Sequence, residues 1–314
     1  MKKNGFNRTI NLTSLQQIKN LPLEFKASQL IQVNDSIITI LEDSYKKINQ
    51  IDYQAKSTKT ISIEDFKNCK LEKFHNTSIQ GNIVTVFDPK SKSIGIKNYS
   101  NPKDSAFCIK LNNSLIRGCR ISNTSIVRAL DSTNKFTIFF RINMTNKTVQ
   151  IEKNISEKIY DGGLSTDGIL IPIDGNKVVL LYYHKNTYLC LDTTLTEIFK
   201  HHTIDTSTTA PKIKNLPKGG YAFSEPVKVK NLRGSYDNGI IYINSALIAE
   251  NENKNNFRSN SVIDKYEFNT GKYLGSFYIP RTKDNKITDF KVYNDKLYAL
   301  YESELLIFEM TKNR

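Results

Sequence analysis

The sequence predicts an all-β fold, a six-bladed β-propeller, from three observations. A hairpin pattern recurs along the chain, an apolar strand precedes each hairpin, and the last repeat lacks one strand. The hairpin is clearest in KYEFNTGKYLGSFYIP, residues 265–280. There Tyr266 and Phe268 share one face of an extended segment, and Asn-Thr-Gly at 269–271 supplies turn chemistry before the apolar pattern resumes.

The recurrence of this hairpin sets the number of blades. The last apolar residue before each turn is Tyr53, Tyr99, Ile142, Leu191, Phe268 and Met310. The intervals are 46, 43, 49, 77 and 42 residues. Periods of about 40 to 50 residues with several strands in each are typical of a propeller rather than of a solenoid. Six blades are therefore predicted.

A second alignment, on the strand before each hairpin, gives the same number. The six runs are IITILE (37–42), IVTVFD (83–88), IVRALD (126–131), VLLYYH (179–184), IIYINS (240–245) and LYALYE (297–302). They are β-branched and aromatic with almost no polar interruption. That composition indicates strands buried on both faces between neighbouring blades.

The chain ends shortly after the third strand of the sixth repeat, so its outer strand has to come from elsewhere. We predict that the N-terminal segment FNRTINLTS supplies it and closes the ring. The predicted blades span approximately 27–63, 69–111, 116–156, 164–205, 222–280, and 285–310 completed by 5–14. A pair of β-sandwiches is the alternative, but it explains neither the spacing nor the missing strand.

Composition limits the partner and the compartment. The chain of 314 residues carries a formal charge of +14, but its lysines are spread along the whole length. The sequence lacks the concentrated basic stripe that nucleic-acid binding would need, so a nucleic-acid partner is not expected. No apolar run is long enough to cross a membrane, so membrane association would need a partner or a lipid anchor. The four cysteines are widely spaced without a C-x-x-C pair and are expected to be mostly buried thiols.

Strings such as KYEFNTGKYLGSF and VYNDKLYALY, together with the period and the blade count, resemble six-bladed propellers of the TolB-like and NHL-like kind. The string LSTDG at 164–168 resembles the turn of TolB-like repeats and is interpreted as structural. The resemblance implies a binding module that is periplasmic or on the cell surface if a signal peptide has been removed, and cytoplasmic otherwise. A minority of such propellers are metal-dependent hydrolases, lactonases or lyases.

Carboxylic acids end four of the six aligned second strands, and these are Glu42, Asp88, Asp131 and Glu302. In a propeller these strand ends would surround one mouth of the central channel. Convergent carboxylates there could hold Ca²⁺ or Zn²⁺. The alternative is that each acid simply ends a strand and begins a polar turn. Without such a site, no cofactor is expected.

Two insertions, residues 206–227 and 246–261, break the blade symmetry, and long loops on a rigid scaffold often carry recognition. The residues predicted to bind a partner are Lys212, Lys214, Lys218, Tyr221, Phe257 and Arg258. The sequence thus favours a non-catalytic scaffold for an acidic protein or peptide. The alternative is a metal-dependent hydrolase, lactonase or lyase with its cation at the channel mouth.

Overall fold

The computed structural model describes residues 4–10, 13–54, 56–74, 76–101, 103–133, 135–152, 155, 158–173, 175–207, 211–217, 219–282 and 285–312. Within these ranges the chain forms six four-stranded antiparallel sheets and one two-stranded sheet. Each four-stranded sheet is one blade, and five of the blades consist of four consecutive strands, over 27–62, 76–110, 114–152, 168–202 and 231–280. The all-β propeller prediction is confirmed.

The strands of the first three blades follow the closing strand in chain order. They are β1 (Thr13–Pro22); β2 (Ala27–Val33), β3 (Ile38–Glu42), β4 (Lys47–Ile51) and β5 (Ser57–Ser62); β6 (Asn76–Gln80), β7 (Ile83–Asp88), β8 (Ser93–Asn98) and β9 (Phe107–Lys110); and β10 (Ser114–Ile121), β11 (Thr124–Leu130), β12 (Thr137–Asn143) and β13 (Val149–Glu152). A 3-10 helix, Ile63–Cys69, joins the first two blades.

The remaining strands form blades four to six and the two-stranded sheet. They are β14 (Gly168–Ile173), β15 (Lys177–Tyr182), β16 (Thr187–Asp192) and β17 (Glu197–His202); β18 (Ile213–Asn215) and β19 (Tyr221–Phe223); β20 (Asn231–Asp237), β21 (Ile240–Ser245), β22 (Asn260–Glu267) and β23 (Tyr273–Pro280); and β24 (Asp289–Tyr293), β25 (Lys296–Leu300) and β26 (Glu304–Lys312). One α-helix, α1, spans Lys254–Ser259. None of the helices in the described ranges is long and apolar enough to span a membrane.

The chain divides into two compact units. The first holds β1 and blades one, five and six. Its second strands are buried on both faces: Leu297 of β25 packs in the cluster that contains Phe277, whereas the next residue, Tyr298, packs in the cluster that contains Leu30. Alternation of side chains along a strand produces this division.

The second unit holds blades two, three and four with β18 and β19. The same division appears on β11. Ile126 packs in a cluster with Leu180 of blade four, and Val127 packs in a cluster with Phe87 of blade two. These β-branched runs are apolar throughout because both faces of the strand are covered.

The sixth blade is completed by the N-terminal part of the chain, as predicted. β1 pairs antiparallel with β26, and the register places Leu15 opposite Met310 and Leu21 opposite Leu305. The residues differ from those predicted, because the closing strand is Thr13–Pro22 and not 5–14. Residues 4–10 instead lie against blade five and its insertion: the Glu250 N–H donates to the Phe6 carbonyl at 2.7 Å, and the Ser276 N–H of the outer strand donates to the Thr9 carbonyl at 2.8 Å.

Candidate functional site

The first insertion forms a small hairpin outside the six blades. Its strands β18 and β19 pair so that Lys214 lies opposite Ala222. Lys212 and Lys214 are exposed, and Leu216 at the turn is 40% exposed. Lys218, which was also predicted to bind a partner, lies outside the described residues. We call Lys212, Lys214, Leu216 and Tyr221 the hairpin surface.

The hairpin is fixed to its unit by aromatic contacts. Tyr221 packs on Gly162 so closely that a Cβ at that glycine would lie 2.9 Å from Tyr221 Cδ2. The rings of Phe223 and His184 meet edge to face, with centroids 5.2 Å apart. His184 Nδ1 also lies 3.3 Å from the Lys228 carbonyl. Because edge-to-face aromatic pairs add stability to the area they bury, the insertion has a defined position on blade four.

The exposed groups on and near the hairpin include lysines, one acid and a tyrosine. Lys212 Nζ lies 3.4 Å from Glu225 Oε1, and both side chains are largely in solvent. Such a pair contributes little to stability, so Lys212 can exchange Glu225 for a carboxylate of a partner. Tyr160 is 59% exposed, with its ring edge against Phe136. Tyrosine and lysine together suit a partner that offers apolar and acidic groups.

The second insertion directs Phe257 inward, which corrects one predicted site residue. Asn253 caps α1 by accepting hydrogen bonds from the Asn255 and Asn256 N–H groups. Phe257, expected to anchor a partner, is 5% exposed and packs with Ile248. Phe257 therefore belongs to the core and is not available to anchor a partner. Arg258 is exposed on the same helix and stays a prediction.

A buried ion-pair network beside this insertion has no signal in the sequence. The Arg8 guanidinium donates to Asp264 through Nε (2.7 Å to Oδ1) and Nη2 (3.0 Å to Oδ2). Its Nη1 donates to Glu252 Oε2 at 2.5 Å and to the Leu247 carbonyl at 2.8 Å. Burial alone would lower the pKa of Arg8, but Asp264 and Glu252 together raise it above its usual value. The partners lie more than 230 residues from Arg8, so no local pattern reveals them.

In the second unit, the two acids predicted to bind a metal are engaged in turns. Asp88 is fully buried, and its Oδ2 accepts hydrogen bonds from the Glu72 N–H (2.7 Å) and the Ser91 hydroxyl (2.9 Å). Its Oδ1 accepts from the Lys90 N–H at 3.0 Å. Asp131 Oδ1 likewise accepts from the Thr133 N–H at 3.0 Å. These contacts are those of acids that end a strand and begin a polar turn.

In the first unit, the other two predicted acids have local partners. Glu42 Oε1 accepts from Asn49 Nδ2 at 2.8 Å, and Glu302 forms a surface ion pair with Lys26. Among the described residues no group of three or more His, Cys, Asp or Glu side chains has an arrangement that could hold a metal ion. The donor set therefore does not fit the predicted Ca²⁺ or Zn²⁺ site.

The cysteines differ from expectation, since only two of the four are buried thiols. Cys69 and Cys108 form a disulfide bond that joins the 3-10 helix to β9, with their Cα atoms 5.2 Å apart. Cys119 and Cys190 are buried. Burial raises the pKa of the Cys119 thiol to about 12, which disfavours the thiolate form at neutral pH.

Comparison with known proteins gives structural likeness without sequence likeness. No family model and no curated protein matches the sequence. A Bacteroides fragilis protein described as exported is 10% identical, with a TM-score of 0.61 over 99% of this chain and 98% of that one. A DUF4221-family protein of Bacteroides vulgatus is 11% identical, with a TM-score of 0.59 over 96% and 99%.

A third neighbour is an enzyme. Virginiamycin B lyase of Staphylococcus aureus is 12% identical, with a TM-score of 0.54 over 95% of this chain and 99% of that one. At such identities structural likeness defines a fold and not an activity. The chain is thus a six-bladed β-propeller, and these neighbours define its fold alone.

Proposed function

We propose that this propeller is a non-catalytic recognition scaffold that binds an acidic protein or peptide through the hairpin surface. The observation that carries the proposal is the first insertion, which forms a sheet separate from every blade and leaves Lys212, Lys214 and Leu216 in solvent. A hairpin held by Tyr221 and Phe223 presents these groups in a fixed geometry, so a partner need not order a loop when it binds.

The exposed lysines and the aromatic groups would have different roles in this interface. Lys212 and Lys214 lie on the rim, where charge mainly increases the association rate and its dependence on salt. Tyr221 and Tyr160 offer rigid apolar area with a polar tip, and such residues retain a bound partner. An acidic partner with apolar side chains satisfies both requirements.

An oxidising compartment accords with this function. Disulfide bonds persist in exported proteins and are rare in the reducing cytosol. The Cys69–Cys108 bond therefore supports export to the periplasm or the cell surface, as does the likeness to a propeller described as exported. In that compartment a propeller can serve as a stable platform for another envelope protein.

The lyase alternative rests on fold likeness alone. The neighbouring virginiamycin B lyase shares 12% of its residues with this chain. The acids that could have held a catalytic cation are engaged in turns and a surface ion pair. No contact in the described part of the chain favours catalysis over recognition.

The experiment is a comparative capture from the cell envelope of the source organism. The immobilised protein, the variant Lys212→Ser/Lys214→Ser and the matched control Lys110→Ser/Lys200→Ser are incubated with the same extract, and the retained proteins are quantified. Lys110 and Lys200 are exposed strand lysines of the same unit. We expect an acidic protein on the wild type and the control that is lost from the hairpin variant.

Kinetics with that purified protein then test the physical reason. Removal of the two lysines should lower the association rate about tenfold at low salt and leave the dissociation rate nearly unchanged. All three proteins should unfold at the same temperature. Equal capture by the hairpin variant and the wild type would refute the proposal.

A further inference from the structure

Two arginines lie directly opposite each other in blade three. Arg117 of β10 pairs in register with Arg128 of β11. A β-bulge between Leu115 and Arg117 produces this alignment, because without the extra residue Ile116 would face Arg128. Directly opposed residues of antiparallel strands project from the same face, and like charges there destabilise the sheet. The arrangement therefore needs a compensating negative charge.

One of the two arginines has its partner within the chain. Arg128 is fully buried, and its Nη1 donates to Asp167 Oδ1 at 2.7 Å. Its Nη2 donates to the Gly163 carbonyl at 3.1 Å and to Thr166 Oγ1 at 3.2 Å. Burial lowers the pKa of Arg128, Asp167 raises it, and the adjacent positive charge of Arg117 lowers it again. A single carboxylate thus serves Arg128.

The loop that surrounds Arg128 is itself fixed. The buried Asp161 accepts hydrogen bonds from the Gly163 N–H at 2.8 Å and the Ser165 N–H at 2.9 Å. Gly163 has a φ of 76°, which favours glycine, and a Cβ there would lie 3.0 Å from Thr137 Oγ1. The string LSTDG, interpreted from sequence as a structural turn, is therefore the wall of an arginine pocket.

The second arginine has no carboxylate. Within the described ranges Arg117 forms no ion pair, and its buried Nε has no hydrogen-bond partner. Its guanidinium lies over the ring of Tyr183, with Cζ 5.7 Å from the ring centroid. Arg128 Nε is likewise buried without a partner. A buried donor without an acceptor lowers the stability of the fold. The contacts of the described residues supply one carboxylate, that of Asp167, for the two guanidinium groups.

We propose that Arg117, paired with Arg128 and lying over the ring of Tyr183, binds a carboxylate group of a ligand. The planar guanidinium fork matches the two oxygens of a carboxylate, and the cation–π contact with Tyr183 restrains the position of the guanidinium. The bound anion would balance the second positive charge of the opposed arginines. The proposal goes beyond the recognition function, because it requires no partner at the hairpin surface.

The test uses succinate as the probe, with phosphate and chloride at the same ionic strength as controls. Thermal unfolding and titration calorimetry are measured on the whole chain. Succinate should raise the unfolding temperature of the wild type with saturation. It should raise that of Arg141→Gln equally, since Arg141 is a partly exposed arginine of the same blade.

Two variants decide the role of Arg117. Arg117→Gln should lose the response to succinate, and Arg117→Lys, which keeps the charge without the fork, should bind about tenfold more weakly. If Arg117→Gln fails to fold, the Lys variant provides the same comparison. Equal succinate binding by wild type and either variant would overturn the proposal. So would a wild-type response to chloride that matches succinate, or a response to phosphate alone.

A capped tetraglutamate peptide distinguishes the source of the carboxylate. Tighter binding of succinate than of the peptide would indicate a small-molecule ligand, and tighter binding of the peptide would indicate an acidic side chain of a protein. Either result supports the site only if Arg117→Gln abolishes it. The variant Lys212→Ser/Lys214→Ser should bind succinate as the wild type does, which separates this site from the hairpin surface.

Discussion

Replacement of Arg8 by methionine should destabilise the protein far more than a change in an N-terminal segment normally does. The substitution removes four side-chain hydrogen bonds, two to Asp264 and one each to Glu252 and the Leu247 carbonyl. Methionine has a similar length, so packing is largely retained. What remains is a pair of carboxylates whose side chains are 1% and 3% exposed.

The size of the effect follows from that burial. Removal of one partner from a buried ion pair costs about 3 to 5 kcal/mol, because the other charge stays without compensation. Here Glu252 still accepts from the Ala249 N–H and the Tyr278 hydroxyl, and Asp264 accepts from the Ser276 hydroxyl. We therefore expect about 3 to 5 kcal/mol for the two acids together. A domain is stable by only about 5 to 15 kcal/mol.

The assay is urea unfolding followed by far-ultraviolet circular dichroism and by tyrosine fluorescence, since the chain has 16 tyrosines and no tryptophan. Arg258→Met is the control, because Arg258 is exposed, and it should change stability by less than about 0.5 kcal/mol. Neutralisation of the acids in Arg8→Met/Glu252→Gln/Asp264→Asn should recover part of the loss. A loss below about 1 kcal/mol in Arg8→Met would show that the two buried carboxylates do not need the charge of Arg8.

Three further predictions concern the fold. Deletion of residues 1–22 removes β1 and exposes β26, so the free energy of unfolding should fall by more than about 5 kcal/mol. An unchanged thermal transition would contradict the closure of blade six by β1. Reduction of the Cys69–Cys108 bond opens a 39-residue separation and should cost about 3 to 4 kcal/mol, measured by urea unfolding with and without reductant. Burial raises the pKa of Asp289 above 3.8. Between pH 3.8 and that raised pKa the folded protein keeps a proton on Asp289 that the unfolded chain has lost. The stability of the wild type should therefore fall relative to that of Asp289→Asn as the pH rises through this window, and parallel pH profiles of the two proteins would exclude the effect.

The second strands were predictable because burial on both faces leaves a mark on the sequence. A run such as IVTVFD has one polar residue, Thr85, before its terminal aspartate, and it forms β7 at Ile83–Asp88. Exposed outer strands have no such mark. β13 is exposed at every position, although Val149 and Ile151 are apolar. The number of blades was therefore predictable from the buried strands as well as from the hairpins.

The position of the closing strand was less predictable, because its selection depends on distant contacts. Both 5–14 and 13–22 can extend along a sheet edge. The earlier segment is fixed by Phe6 and Arg8, which bury themselves against residues 247–264. β1 then starts where Leu15 can pack in the blade-six cluster. Periodicity within either segment carries no information about these partners.

The two insertions show why loop length alone does not identify a recognition surface. Each lengthens the chain without adding a blade, and each carries aromatic and charged residues. The second directs Glu252 and Phe257 inward, where one binds Arg8 and the other fills a core cluster. The first directs Tyr221 and Phe223 against its unit but leaves Lys212 and Lys214 in solvent. A charged side chain with a buried partner belongs to the fold, whereas one that remains in solvent can contact another molecule. That difference is the reason why we propose recognition at the first insertion and not at the second.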